Sequence, residues 1–377
     1  MILNEDQAMV RDMAQRFAAG RLLPASAHWD ETGEFPRAVI AEMGALGLMG
    51  MLVPEEWDGS MTDAIAYACA LEEISAGNGA ISTIMSVHNS VGCVPILRFG
   101  NDTQKEQFLR PMARGEWLGA FCLTEPQAGS DASALRTRAV RSNGGWVLNG
   151  VKQFITSGKN ADVAIVFAVT DPTAGKKGIS AFIVPTDTPG WRVASIEKKT
   201  GQHLSDTAQI TLEDLEIPAG NLLGEEGQGY RIALSNLEGG RIGIAAQSVG
   251  MARAALEAAV AYAQERESMG KTLIEHQAVA FRLADMATQV EAGRQMVLHA
   301  AALKDAGQDA LQAASMAKLF ASEMAEKVAS AAIQTFGGYG YTRDFPVERI
   351  WRDVRVCQIY EGTSDIQRMV IARALGR

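Results

Sequence analysis

The chain has 377 residues, 47% of them hydrophobic and 21% charged, and its 35 basic against 44 acidic side chains give a formal charge of −9. That length exceeds one ordinary core and predicts two or three packed units. The acidic balance, without a basic stripe, argues against nucleic acid as a partner, although a local basic pocket could hold a nucleotide phosphate. Cys69, Cys93, Cys122 and Cys357 lack the paired spacing of zinc or redox sites, so reduced, buried thiols are expected. No apolar run approaches the roughly twenty residues of a bilayer span, and the N-terminus lacks the charged-then-apolar order of a secretion signal. These features predict a cytoplasmic protein without membrane insertion.

Asn4 with Gln7 reads as the first helix cap. Helical patterns follow at 4–20, 36–47, 62–76, 80–99 and 103–114, punctuated by Pro and Gly. From 118 to 222 the character changes to short β-branched runs: Trp146-Val147-Leu148, Val163 to Val169, Ile179 to Val184 and Ala208 to Leu212. Asn149-Gly150 between apolar flanks is a hairpin signal, and together these predict a small antiparallel β domain. Of the eleven prolines, nine lie between Pro24 and Pro189, then come Pro218 and Pro346, which leaves the last third free to be helical. Residues 229–268, 275–305 and 311–336 carry apolar side chains every three or four positions and read as long bundle helices. Their broadly apolar character suggests burial on more than one side, as in an oligomer. The expected fold is multi-domain α+β: an N-terminal α-helical domain (1–117), a middle antiparallel β domain (118–222) and a C-terminal four-helix-bundle domain (223–377).

Two segments carry chemistry. Ile359-Tyr360-Glu361-Gly362-Thr363-Ser364-Asp365-Ile366-Gln367 places one carboxylate between an apolar run and a glycine that permits close backbone approach. Ser364 with Gln367 has capping-box spacing, so a helix is predicted to start there with Glu361 projecting from the bend before it. A lone carboxylate is more often a solvated loop residue. The second segment, Phe121-Cys122-Leu123-Thr124-Glu125-Pro126-Gln127-Ala128-Gly129-Ser130-Asp131, is a loop rich in hydroxyls and backbone donors, of the kind that binds polar heterocycles and anions. Other short matches fail. Gly270-Lys271-Thr272 ends like a phosphate loop, but Glu265 stands where its first glycine belongs. Ser315-Met316-Ala317-Lys318 and Lys199-Thr200-Gly201 imitate penicillin-binding motifs in the wrong chain order. His28, His88, His203, His276 and His299 form no metal-ligand pair at helical spacing.

Together with Phe154-Ile155-Thr156-Ser157 and Gln334-Thr335-Phe336-Gly337-Gly338-Tyr339-Gly340-Tyr341, the two segments resemble the acyl-CoA dehydrogenase family of flavoenzymes, from about residue 3 to the C-terminus. The resemblance implies an α–β–α plan and an FAD cofactor. It also implies α,β-dehydrogenation of an acyl-CoA, with Glu361 as the α-proton base, flavin N5 as hydride acceptor and an electron-transfer flavoprotein as electron partner. By the same resemblance Phe121, Leu123, Thr124, Gly129 and Ser130 line the flavin on one side and Phe154, Ile155 and Thr156 on the other. Arg266, Gln277, Gln334, Gly337 and Gly338 would hold the adenosine and pyrophosphate, partly from a neighbouring subunit of a homotetramer, and Thr363 and Asp365 would also touch FAD. Ser130, Glu238, Arg241 and Gly362 would meet the acyl-CoA. Some relatives place the base immediately before the arginine that is Arg241, where this chain has Gly240. The segment 238–241 and the stretches 315–321 and 337–341 are similar to those of short-chain and isobutyryl-type members, which implies a short acyl chain, linear or methyl-branched. Phe154 in place of Trp, Met269 in place of Phe, Asp365 in place of Glu or Gln, Trp57-Asp58-Gly59-Ser60 in place of a more glycine-rich turn, and the pair Gln202-His203 depart from the family pattern. An acyl-CoA oxidase and a flavin-free scaffold of the same fold are the alternatives.

Overall fold

The computed structural model describes residues 1–376, apart from the side chains of Leu237 and Glu238. Helix α1 (Glu5–Phe17) opens on a reciprocal cap in which the Asn4 side chain accepts from the Gln7 N–H and the Gln7 side chain accepts from the Asn4 N–H. Helices α2 (Ser26–Thr32), α3 (Arg37–Ala45), α4 (Ala64–Gly77), α5 (Gly79–Val87), α6 (Val94–Phe99), α7 (Asp102–Gln104) and α8 (Arg110–Ala113) follow. Asn78 breaks α4 from α5 with an extended backbone and caps the second helix by accepting from the Ile81 N–H. A wide π turn, His88–Cys93, joins α5 to α6. The stretch Gly79–Phe99 is therefore one helical segment, and by length and composition it could cross a membrane, contrary to the expectation that no run comes close. Its buried share is 89%, inside the protein itself, which marks it as a core helix.

The middle of the chain forms an eight-stranded sheet in the order β6-β7-β3-β2-β4-β5-β8, with β1 beside β4. The strands are β1 (Gly119–Cys122), β2 (Arg138–Ser142), β3 (Gly145–Thr156), β4 (Val163–Val169), β5 (Ile179–Pro185), β6 (Trp191–Ile196), β7 (Thr207–Pro218) and β8 (Leu222–Leu223). β4 and β5 are buried on both faces, as their unbroken apolar runs require, whereas β7 alternates between buried and partly exposed positions. Pairing is antiparallel except along β4, where β1 and one residue of β2 run parallel. Asn149-Gly150 is not a turn. Both residues lie within β3 at a register shift against β7, where Asn149 exchanges hydrogen bonds with Asp214. A Cβ on Gly150 would fall 2.4 Å from the Thr137 hydroxyl, so this glycine serves a close approach within the sheet.

The last third holds α9 (Gly229–Glu265), a small hairpin of β9 (Glu267–Ser268) and β10 (Lys271–Thr272), and then α10 (Gln277–Asp305), α11 (Leu311–Phe336), α12 (Val347–Val354) and α13 (Ser364–Leu375). Helix α9 ends three residues earlier than its apolar pattern suggested, because Arg266 turns into extended backbone. Its small residues Ala245, Ala246, Val249, Ala252, Ala255 and Ala259 are buried between α4 on one side and α10 and α11 on the other. The two helical regions therefore share one apolar core running from Ala14 to Cys357, while the sheet keeps its own apolar cluster around Trp146, Leu148 and Phe182.

His88 ties the helical core to the sheet. Its Nδ1 accepts from the Gly119 N–H at 3.0 Å and its Nε2 faces the Met112 carbonyl at 3.0 Å. One nitrogen accepting and the other donating fixes a neutral ring, and burial pushes its pKa down to about 4. The unfolded chain takes up this proton near pH 6.5 and the folded chain only near 4. Stability is therefore lost as pH falls through that interval, by roughly 3 kcal/mol from this residue alone. Urea unfolding of the wild type and of His88→Gln across that range should show a shallower acid slope in the variant.

Candidate active site

After α12 the chain passes through a short 3₁₀ turn, Arg355–Gln358, and reverses at Glu361 (φ +54°) and Gly362 (φ +88°). A left-handed backbone is costly for a glutamate and must be held by its surroundings. Three groups hold it. Thr363, rather than the expected Ser364, caps α13 by accepting from the Ile366 N–H. Gln367 folds back, its amide donating to the carbonyls of Gly362 (2.9 Å) and Glu361 (3.3 Å), so it does not close a capping box. Lys318 of α11, with no exposed surface, donates to the Gly362 carbonyl at 2.7 Å.

The Glu361 side chain runs inward to Gly240 of α9. Its Oε2 is buried and has no hydrogen-bond partner among the described residues, and a Cβ on Gly240 would fall 2.6 Å from that oxygen. Burial raises the carboxyl pKa to about 7, against the opposing pull of Lys318 and Arg241. A carboxylate so placed is a base of useful strength at neutral pH. Arg241, the next residue of α9, reaches the Ser315 hydroxyl at 3.4 Å. The structure thus brings Glu361, Gly362 and Arg241 together. The side chain of Glu238 lies outside the described residues.

The loop after β1 is fixed by a buried ion pair. Lys152, on β3, donates to the Glu125 carboxylate at 2.7 Å, with the two side chains 0% and 2% exposed. Glu125 also accepts from the N–H groups of Arg136 and Thr137 and from Gln127. Burial pushes the Glu125 carboxyl up, but Lys152 and these donors outweigh it and hold it below the usual range. The Gln153 N–H donates to the Thr124 carbonyl at 2.9 Å, which lays residues 121–130 against 153–156. Leu123 and Ile155 are buried beneath, and Phe121 packs edge-on against Phe167. Above them Thr124 and Thr156 are half-buried, and Gly129, Ser130 and Phe154 are exposed. Phe154 is left-handed (φ +58°) and 62% exposed.

A separate cleft of about 490 Å³ lies where Arg266, after α9, meets Gly337 and Gly338, after α11. Gly337 adopts φ +62°, ψ −133°, open essentially to glycine alone, and no atom stands within 4 Å of a Cβ built on either glycine. Their backbone is thus free to meet a ligand. Gln277 and Gln334 are exposed and lie outside this cleft; the resemblance assigns them to FAD contacts made partly from a neighbouring subunit. Asp365 is exposed, and its carboxylate lies 3.6 Å from Arg368. The donors fit FAD: an open aromatic face and two threonine hydroxyls beside a backbone loop suit a flavin ring, and an arginine with bare glycine backbone suits a phosphate.

Sequence reasoning missed several residues that organise this region. Gln247 of α9 donates to the Gly79 carbonyl (2.8 Å) and the Thr83 hydroxyl (2.5 Å), and accepts from the Tyr360 hydroxyl (2.7 Å). Thr83 in turn donates to Gln202 (2.7 Å), whose backbone N–H meets the Asp353 carboxylate at 2.5 Å. Burial lifts the Asp353 pKa to about 6. The signal for Lys318 was present in its helical register, since it falls on the same face as Ala314, Ala317, Ala321 and Ala325, all buried.

Models of three families match in chain order: "Acyl-CoA dehydrogenase, N-terminal domain" over residues 4–116, "middle domain" over 120–215 and "C-terminal domain" over 227–376. The short-chain specific acyl-CoA dehydrogenase of Rattus norvegicus mitochondria is 46% identical over 100% of this chain and 91% of its own. Butyryl-CoA dehydrogenase from Megasphaera elsdenii superposes with a TM-score of 0.97 at 42% identity, covering 100% of both chains. A chain from the structure of the electron transferring flavoprotein of Acidaminococcus fermentans superposes with a TM-score of 0.98 at 47% identity, covering 100% of this chain and 99% of that one.

The Glu125–Lys152 pair has a direct test. Lys152→Met leaves a buried carboxylate without its countercharge and should cost about 3–5 kcal/mol in urea unfolding, whereas adding Glu125→Gln should recover part of the loss. Equal stability of Lys152→Met and wild type would show that the pair does not anchor the loop.

Proposed function

This chain belongs to the acyl-CoA dehydrogenase family, and we propose that within it the chain dehydrogenates a short acyl-CoA, linear or methyl-branched, with Glu361 as the base. The family is one of FAD-dependent oxidoreductases acting on CH–CH bonds. The observation that carries the assignment of the base is the Glu361 carboxylate: buried, unpartnered at Oε2 among the described residues, and facing the bare backbone of Gly240 on α9.

Bound FAD supplies the acceptor for the β hydride. The protein's own part is to seat the thioester, exclude water and take the α proton. Gly240 leaves room for the carboxylate, and Gly362 lets the thioester lie against the chain. Glu361 takes the α proton at a carboxylate oxygen as the α,β double bond forms, and its N–H, in the reversed backbone, is the expected donor to the thioester oxygen, where negative charge develops. Arg241 and Ser130 are the expected contacts of the coenzyme A portion. Phe121 to Ser130 and Phe154 to Thr156 would line the flavin, with Arg266, Gly337 and Gly338 at its phosphate end and Thr363 and Asp365 near the base. Similarity to short-chain and butyryl-CoA relatives supports a small acyl group, and likeness to a chain found with an electron transferring flavoprotein supports that class of electron partner.

Anaerobic bleaching of the flavin by a panel of acyl-CoAs tests the reading. Butyryl- and isobutyryl-CoA should head the panel, with neighbouring lengths overlapping because a methylene is worth only about 1–3 kcal/mol in an apolar pocket. Glu361→Gln should keep fold, FAD and acyl-CoA binding but lose at least about 10²–10⁴-fold in bleaching rate. Near-normal bleaching would remove Glu361 as the base. In the wild type kcat/KM should fall as pH drops below about 7, where the carboxyl protonates. Because position 240 and the Glu361 carboxylate share one volume, rescue from α9 should need both changes, Glu361→Gly with Gly240→Glu.

We also propose a homotetramer with FAD shared between subunits. Exposed apolar side chains support it: next in sequence to residues lining the Arg266 cleft, Met269 is 94% exposed and Tyr341 is also largely uncovered, and Phe281 is exposed at a second cleft, surface of the kind a subunit contact would cover. Arg266→Ala should weaken FAD retention and assembly together, as read by mass in solution and flavin content. A monomer that retains stoichiometric FAD would contradict the shared site.

A further inference from the structure

Lys318 lies on the apolar face of α11 among Ala314, Ala317 and Ala321, all without exposed surface. A buried ammonium is costly unless something there uses it, and a methionine would fill the same volume. Its hydrogen bond to the Gly362 carbonyl, at 2.7 Å, is not reason enough. Gln367 already supplies a neutral donor to that carbonyl and to that of Glu361. What lysine adds is charge, delivered at the carbonyl of the residue after a carboxylate whose Oε2 has no hydrogen bond among the described residues.

We infer that Lys318 is a positioning residue for proton abstraction: it pins the reversed backbone at Gly362 and lends the buried Glu361 carboxylate a countercharge. The inference rests on Glu361 being the base. Charged and titratable groups reach this pair from every side. Arg241 of α9 shares the task on Glu361 while repelling Lys318, and Cys357 of the 355–358 turn and Glu323 of α11 favour the ammonium. The Tyr67 hydroxyl of α4, on which the Glu361 charge also acts weakly, is held neutral by burial. Burial pushes the Lys318 ammonium down to about 8, above the value of about 7 at which Glu361 ionises, so it is mostly charged at that midpoint.

The test compares Lys318→Met, Lys318→Gln and Lys318→Arg with wild type as FAD-loaded enzymes, reading kcat/KM from about pH 5.5 to 9, with flavin content and melting temperature measured alongside. Both neutral variants should move the acid limb upward by about one pH unit or more, because the carboxylate loses its countercharge, and Lys318→Arg should return it toward the wild-type position. A purely structural pin predicts otherwise: Lys318→Gln, still able to donate to Gly362, would keep the wild-type limb and lose only stability. An unmoved limb in the neutral variants overturns the inference. So does failure of both to fold and bind FAD, which would make Lys318 a strut. Glu361→Gln run in parallel separates the two claims. Activity persisting in it removes the base, whereas an inactive Glu361→Gln beside unmoved Lys318 variants removes only the role of Lys318.

Discussion

Gln247 sits in the middle of α9 with both ends of its amide engaged, and the placement of Glu361, the proposed base, depends on it. Its nitrogen reaches Gly79 and Thr83 at the start of α5, and its oxygen receives the hydroxyl of Tyr360, the residue before Glu361. Thr83 passes the connection to Gln202 in the loop between β6 and β7, and Gln202 passes it to Asp353 at the end of α12. Four segments far apart in the chain are thereby joined through hydrogen bonds in which each atom has few alternatives. Buried polar groups specify geometry more sharply than apolar ones, because a misplaced partner leaves an unsatisfied atom. The pair Gln202-His203, which departs from the family pattern, has a structural place here. Gln202 is part of this seam, and His203 faces Asp30, itself paired with Arg352.

With Tyr360 held, Glu361 has little choice of direction. Its backbone is left-handed, its carbonyl and that of Gly362 are occupied, and its side chain enters a space kept clear by the absence of a side chain at 240. Desolvation and a missing hydrogen bond both raise the free energy of the ionised carboxylate, and both are relieved in part when it takes a proton. A base is made stronger in this way without any change in its covalent chemistry. The surrounding fold supplies the compensation through an apolar core common to both helical regions.

Much of this was legible in the chain. The helical periods, the β-branched runs and the change in proline use mark the three regions, because each reflects a local backbone preference. Glu361 and the 121–131 loop stand out through their glycines and hydroxyls. What was not legible depends on contacts across long separations. Asn149-Gly150 has the composition of a turn but lies inside a long strand, where Asp214 and Thr137 from other strands decide its conformation. Thr363 and Ser364 are equally good caps on paper, and Gln367 is drawn away from the cap by the two carbonyls of the bend. Nor does composition reveal that the first and last thirds share one core. Lys318 was visible as a charge on an apolar helical face, yet its partner is a backbone atom 44 residues away.

The contact between Gly240 and Glu361 also bears on how such a site can change over generations. A carboxylate on α9 and one on the 359–363 bend would have to occupy the same few cubic ångströms, so the two arrangements exclude each other sterically. If Glu361 is the base, as proposed, no single substitution leads from one to the other through a working protein: acquiring the helix carboxylate first produces a clash, and losing the bend carboxylate first removes the proposed base. Lineages that differ in this respect are therefore separated by a valley rather than a slope. The location of the base should be one of the most slowly changing features of such a chain, slower than the pocket residues that set which acyl group fits.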